Sequence, residues 1–175
     1  MLIEISKVRG LPTGAIDEGA LIGTVKRVVV SPEAGRVIGF LVKIKGLFRG
    51  QKVVSFQDVV DIDTQGLVIN SRDNLVGENE IVRIKELVDG RFNLIGLSAR
   101  TKNKKYLGRV SDAVIESTSG DIIRVYVKYF WDERIFERSM IHEIKKDEII
   151  LTFDDKKKVR KKQAVMAAEK VVEAA

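Results

Sequence analysis

The stretch at residues 22–44, IGTVKRVVVSPEAGRVIGFLVKI, is written a second time, in altered form, 85 residues later. Val25, Val28, Val29 and Val30 precede Ser31-Pro32-Glu33-Ala34-Gly35, and Val37, Ile38, Phe40, Leu41, Val42 and Ile44 follow it. β-Branched and aromatic residues suit a pleated, half-buried surface. Pro32 presets the first bend of the turn, and Gly35 supplies a left-handed position without steric cost. Both apolar runs are short and bounded by turn residues, so they read as the strands of a hairpin. A lone hairpin is marginal in water, so further strands must complete it.

The repeat is traced by matched positions. Gly23-x-Val25 falls on Gly108-x-Val110, Gly35 on Gly120, Val37-Ile38 on Ile122-Ile123 and Val42-Lys43 on Val127-Lys128. With a few residues deleted, Ser55 reaches Ser139, and Leu67-Val68-Ile69 reaches Ile149-Ile150-Leu151. The opening strand expected at residues 2–8 recurs as Ile81-Val82-Arg83-Ile84, and residues 93–105 read as an insertion in the second copy. Two copies at this spacing mean two similar small units, since a solenoid needs shorter periods and more repeats. The polar residues 71–80, SRDNLVGENE, read as the linker.

Short strands with regular turn signals imply an all-β fold, and closing each sheet into a barrel removes edges that would otherwise aggregate. The expectation is therefore two tandem small β-barrels, residues 1–76 and 81–153, followed by a C-terminal α-helix or basic tail, residues 154–175. In that last segment, Ala, Lys and Glu favour a helix. The body is nearly neutral: residues 1–153 hold 24 Lys/Arg and 21 Asp/Glu, and half of the net +6 sits in the tail. No apolar run is long enough to span a membrane. Met1-Leu2-Ile3-Glu4 is not the start of a signal peptide. The chain has no cysteine, which excludes disulfides and thiolate chemistry and fits a reducing, cytoplasmic setting.

Arg9-Gly10-Leu11-Pro12, Gly23-Thr24-Val25, residues 31–35, residues 37–42 and residues 53–58 together resemble the PRC-barrel family. The family includes the cytoplasmic barrel of the photosynthetic reaction-centre H subunit and the C-terminal barrel of the ribosome maturation factor RimM. The resemblance covers residues 1–70 and, less closely, residues 81–153. It implies a barrel fold in each copy and a docking role. No transmembrane helix precedes the barrel and no RimM-like N-terminal domain is visible, so neither of those two specific roles is carried over.

Few residues suggest chemistry. His142 is the sole histidine, and Ser139 and Asp147 are its neighbours in sequence only. A single histidine without cysteine argues against zinc. Asp61-x-Asp63-x-Gln65-Gly66 begins like a calcium loop, but Arg72 stands where the bidentate Glu is required, so a polar turn is expected. Residues 46–50 lack the Lys-Ser/Thr of a phosphate loop. No cofactor or metal is expected, and no catalytic constellation. A small closed barrel is filled by its own side chains, so no ligand pocket is expected either.

Two surface features remain. Tyr129-Phe130-Trp131, aligned near Leu47-Phe48 of the first copy, cannot all point into one core. The first expectation is that they pack between the two barrels, and the alternative is a partner-docking patch built on Phe130 and Trp131. Lys156, Lys157, Lys158, Arg160, Lys161 and Lys162 form a basic run that reads either as a solvated helix face or as a contact for phosphate, anionic lipid or an acidic partner. Together these features indicate a non-enzymatic adaptor that binds a protein partner. The alternative is an RNA- or ribosome-associated factor similar to RimM that uses the basic run.

Overall fold

The computed structural model describes residues 1–46, 50–77 and 79–153. The chain opens with β1 (Leu2–Glu4) and the short helix α1 (Ile5–Val8). Six strands follow: β2 (Pro12–Ala15), β3 (Ala20–Ser31), β4 (Arg36–Ile44), β5 (Gln51–Ser55), β6 (Val59–Ile62) and β7 (Leu67–Ile69). They form one sheet in the order β5-β4-β3-β2-β7-β6. After α2 (Val82–Asp89) come β8 (Ser98–Thr101), β9 (Tyr106–Glu116), β10 (Ile122–Tyr129), β11 (Asp132–Glu137), β12 (Ile141–Ile144) and β13 (Glu148–Leu151). Their order is β11-β10-β9-β8-β13-β12, the same arrangement again. Each sheet has one parallel pair, β2 with β7 and β8 with β13, at the same place. The fold is all-β and built of two tandem barrel-like units.

The long strand of each unit bends where a glycine lets it. A side chain at Gly23 would lie 2.7 Å from the Lys43 carbonyl oxygen, and its repeat mate Gly108 has φ 133° and faces the Lys128 carbonyl as closely. Only glycine lets the two backbones approach this far. Register shifts between Val25 and Arg27 and between Val29 and Val30 add the twist that curls the sheet. In each unit the end strands are not paired with each other, so hydrogen bonding does not close the barrel among the described residues.

Inward residues fill both units. Phe40, Val42, Leu67 and Ile69 in the first, and Val125, Phe136, Ile149 and Leu151 in the second, are buried and belong to one continuous apolar cluster. Truncating either buried Phe to Ala is worth about 3–5 kcal/mol.

The units exchange their leading segments. β1 does not join the first sheet; it pairs with β9, Ile3 opposite Ile115. Residues 81–84, expected as a strand, instead enter α2. Its apolar positions Ile84, Leu87 and Val88, with Ile81 before them, recur at helical spacing and cover Val29, Leu41 and Val53 on the first sheet. Residues 93–105 are not an insertion alone, because they contain β8, the counterpart of β2. Residues 71–76 are tied down: Ser71 and Asn74 form a capping box, and Val76 pairs with Val53.

The two hairpin turns meet head to head. Arg36 pairs with Asp121, the Val37 N–H donates to the Gly120 carbonyl (2.8 Å), and the Ile122 N–H donates to the Gly35 carbonyl (3.1 Å). Arg36 and Asp121 are 85 apart, and the two hydrogen bonds exchange into each other under the same shift of 85 (Val37 to Ile122, Gly35 to Gly120), so the contact is self-complementary, like that of a two-fold dimer written into one chain. Arg138 lies over Gly35, and Phe56 lies over Gly120.

Candidate functional site

The β10–β11 hairpin is the first candidate. Tyr129 pairs with Asp132, which leaves Phe130 and Trp131 as a two-residue loop. Phe130 has φ 52°, a left-handed conformation that costs a bulky residue about 1–3 kcal/mol. The corresponding turn of the first unit has glycine, Gly46 at φ 114°. Phe130 is nevertheless 76% exposed and Trp131 98% exposed. These residues therefore do not pack between the barrels, as first expected; that contact is made by the β3–β4 and β9–β10 turns. The rings are ordered among themselves. Tyr106 and Tyr129 meet edge to face at 5.8 Å, Tyr129 and Phe130 at 4.8 Å, and the Arg100 guanidinium lies 5.6 Å from the Tyr106 ring centroid. Beside this ladder is an open hollow of about 530 Å³ bordered by Ile95, Arg109, Val110, Lys128 and the Tyr106, Tyr129 and Phe130 rings.

A larger cavity, about 750 Å³, lies between the two units, where sequence reasoning expected none. Its floor is apolar, from Ile5, Val28, Leu41, Val88 and Ile95, and its rim carries Arg9, Lys26, Arg27 and Arg91. Arg27 is half-buried and donates to the Phe92 carbonyl across the unit boundary. Burial pushes its pKa below the usual arginine value. Ile95 and Ser111 border both this cavity and the aromatic hollow, so the two are adjacent.

The remaining sequence candidates separate. His142 is exposed on β12 and makes no hydrogen bond or ion pair with a described residue. Asp63 accepts the N–H groups of Gln65 and Gly66 at 2.7 and 3.0 Å, the polar turn expected there. Leu47 and Phe48 lie outside the described residues. So do Lys156, Lys157, Lys158, Arg160, Lys161, Lys162 and the expected C-terminal helix. Among the described residues no helix is long and apolar enough to cross a membrane.

Residues 1–76 match the family model of the PRC-barrel domain. The match covers the first unit, and the second repeats its strand order. No curated protein matches the chain.

Proposed function

We propose that this chain, whose first 76 residues are a PRC-barrel domain, is a non-enzymatic adaptor that docks a protein partner on the β10–β11 tip. The carrying observation is Trp131, 98% exposed and next in the chain to the ladder of the Tyr106, Tyr129 and Phe130 rings. An indole held in water at a hairpin tip adds nothing to the core, whereas Trp and Tyr dominate the buried centres of protein interfaces. The strained Phe130 points the same way, since strain persists where a second role holds it. A partner with an apolar groove would bury Phe130 and Trp131 and leave Lys128 and Arg109 at the rim.

The experiment is affinity capture from native extract, nuclease-treated, comparing the chain with its Phe130→Ala/Trp131→Ala variant by quantitative mass spectrometry. The variant should lose its specific partner while the unfolding midpoint stays within about 0.5 kcal/mol of the parent, as for any surface change. An unchanged partner set in the variant overturns the reading. The alternative, an RNA- or ribosome-associated factor, rests on Lys156, Lys157, Lys158, Arg160, Lys161 and Lys162, and the tip carries the stronger reading.

A further inference from the structure

We propose that the cavity between the two units binds a nucleotide, its phosphates on the rim of Arg9, Lys26, Arg27 and Arg91 and its base on the apolar floor. The inference is separate from the docking tip and comes from the duplication. Where one copy has a cation on this rim, the other does without it. Arg9 corresponds to Ile95, as Gly10-Leu11 corresponds to Gly96-Leu97; Lys26 corresponds to Ser111; Arg27 corresponds to Asp112; Arg91, in a left-handed conformation at φ 53°, has no structural counterpart in the first copy. The pairing is structural as well as sequential. The Gly10 N–H donates to the Val25 carbonyl and the Gly96 N–H to the Val110 carbonyl, both at 2.8 Å. The same backbone therefore accepts Ile in place of Arg9 and Ser in place of Lys26. Folding does not require a cation at Arg9 or Lys26, yet four cations converge on one cavity.

They also lack the usual compensation. Among the described residues no carboxylate lines the cavity, and none of the four is ion-paired to a described residue. The neighbouring Asp112 and Glu133 carboxylates do not line the cavity and are held by serine donors, not by any of the four cations. Asp112 accepts from the Ser6 N–H (3.1 Å) and hydroxyl (2.5 Å), and Glu133 accepts from the Ser111 hydroxyl (2.8 Å). Four like charges around a partly enclosed space repel one another, and an anion relieves that repulsion. A phosphate chain answers the rim, because guanidinium groups bind phosphate through paired N–H donors. A flat base answers the floor of Ile5, Val28, Leu41, Val88 and Ile95, with Gln51 and Asn93 at its edge to hydrogen-bond it. The volume falls in the range of small-molecule sites, roughly 300–1,000 Å³.

The test is isothermal titration of the full chain with ATP, inorganic pyrophosphate and adenosine in separate runs at low salt, without magnesium. ATP should bind at one per chain, more tightly than pyrophosphate, and adenosine more weakly than either. Arg9→Ile and Lys26→Ser install residues that the other copy already carries, so the unfolding midpoint should hold. Each should weaken ATP roughly tenfold, the loss of one charge-assisted contact. Trp131→Ala should leave ATP binding unchanged. No heat with either ATP or pyrophosphate at concentrations on the order of 1 mM overturns the site, as does an Arg9→Ile/Lys26→Ser variant of parental affinity. Equal affinity for pyrophosphate and ATP overturns the base on the floor. An oligouridylate that binds more tightly than ATP and is weakened by the same variants overturns the nucleotide in favour of a single-stranded RNA.

Discussion

Thr13 is fully buried, and its hydroxyl finds no hydrogen-bond partner among the described residues. A buried hydroxyl without a partner is a cost that an apolar group of the same shape does not carry. Thr13→Val keeps the β-branch and the volume and removes only that cost. It should stabilise the chain by about 1 kcal/mol in chemical denaturation. A loss of stability would mean that the hydroxyl is satisfied. Phe130 is the opposite kind of misfit. Its left-handed backbone is unfavourable, its ring is mostly in water, and neither feature helps the fold. A residue that opposes both local rules is better explained by what it touches than by what it supports. His142 and Asp63 show the other side of reading residues singly. A lone histidine on an exposed strand face and an acidic turn are ordinary surface features once their neighbours are known.

At the scale of elements, α2 is the piece that the first sheet cannot do without. Ile84 is 2% exposed and packs with Val29, Leu41 and Val53, beside Gly39, where even a methyl group would lie 2.6 Å from it. Ile84→Ala should cost about 2–5 kcal/mol. In hydrogen exchange the loss should reach β3, β4 and β5, although Ile84 belongs to the second copy by sequence. Protection lost only in residues 82–89 would count against this packing. The repeated hairpin was legible because two short β-branched runs flank a turn and its glycines sit where backbones touch. α2 was not, because Ile81-Val82-Arg83-Ile84 mimics the opening Leu2-Ile3-Glu4-Ile5 over four residues. The helical period becomes visible only when Leu87 and Val88 are included. β8, SART, was hidden because it carries little apolar signal, although Gly96-Leu97 before it matches Gly10-Leu11 and marks the place. The aromatic tip was legible as a cluster but not as exposed, because exposure depends on which turn faces the other unit. The cavity was not legible at all. Its cations come from distant parts of the chain and stand out only when the two copies are compared position by position.

At the scale of the molecule, the two units are built to fold together. β1 crosses to the second sheet, α2 crosses to the first, and the turns at Gly35 and Gly120 exchange hydrogen bonds between them. One apolar cluster runs through both units. The nucleotide proposed above would sit at this same junction and touch both copies at once, so it would stabilise the whole chain and not one half. The exchange can be tested from the β1 side. Ile3 is 2% exposed, sits in the sequence of the first copy and packs on the second sheet. Ile3→Ala should cost about 2–4 kcal/mol, in the range for a buried Ile cut to Ala. If the exchange couples the units, unfolding remains a single transition, and the slowest amides of β4 and β10 lose protection by the same free energy, since both open only in global unfolding. If the units are merely tethered, a second transition separates and only β9 and β10 become labile. That outcome would leave two barrels side by side, and a cavity between them would have no fixed walls with which to hold a ligand.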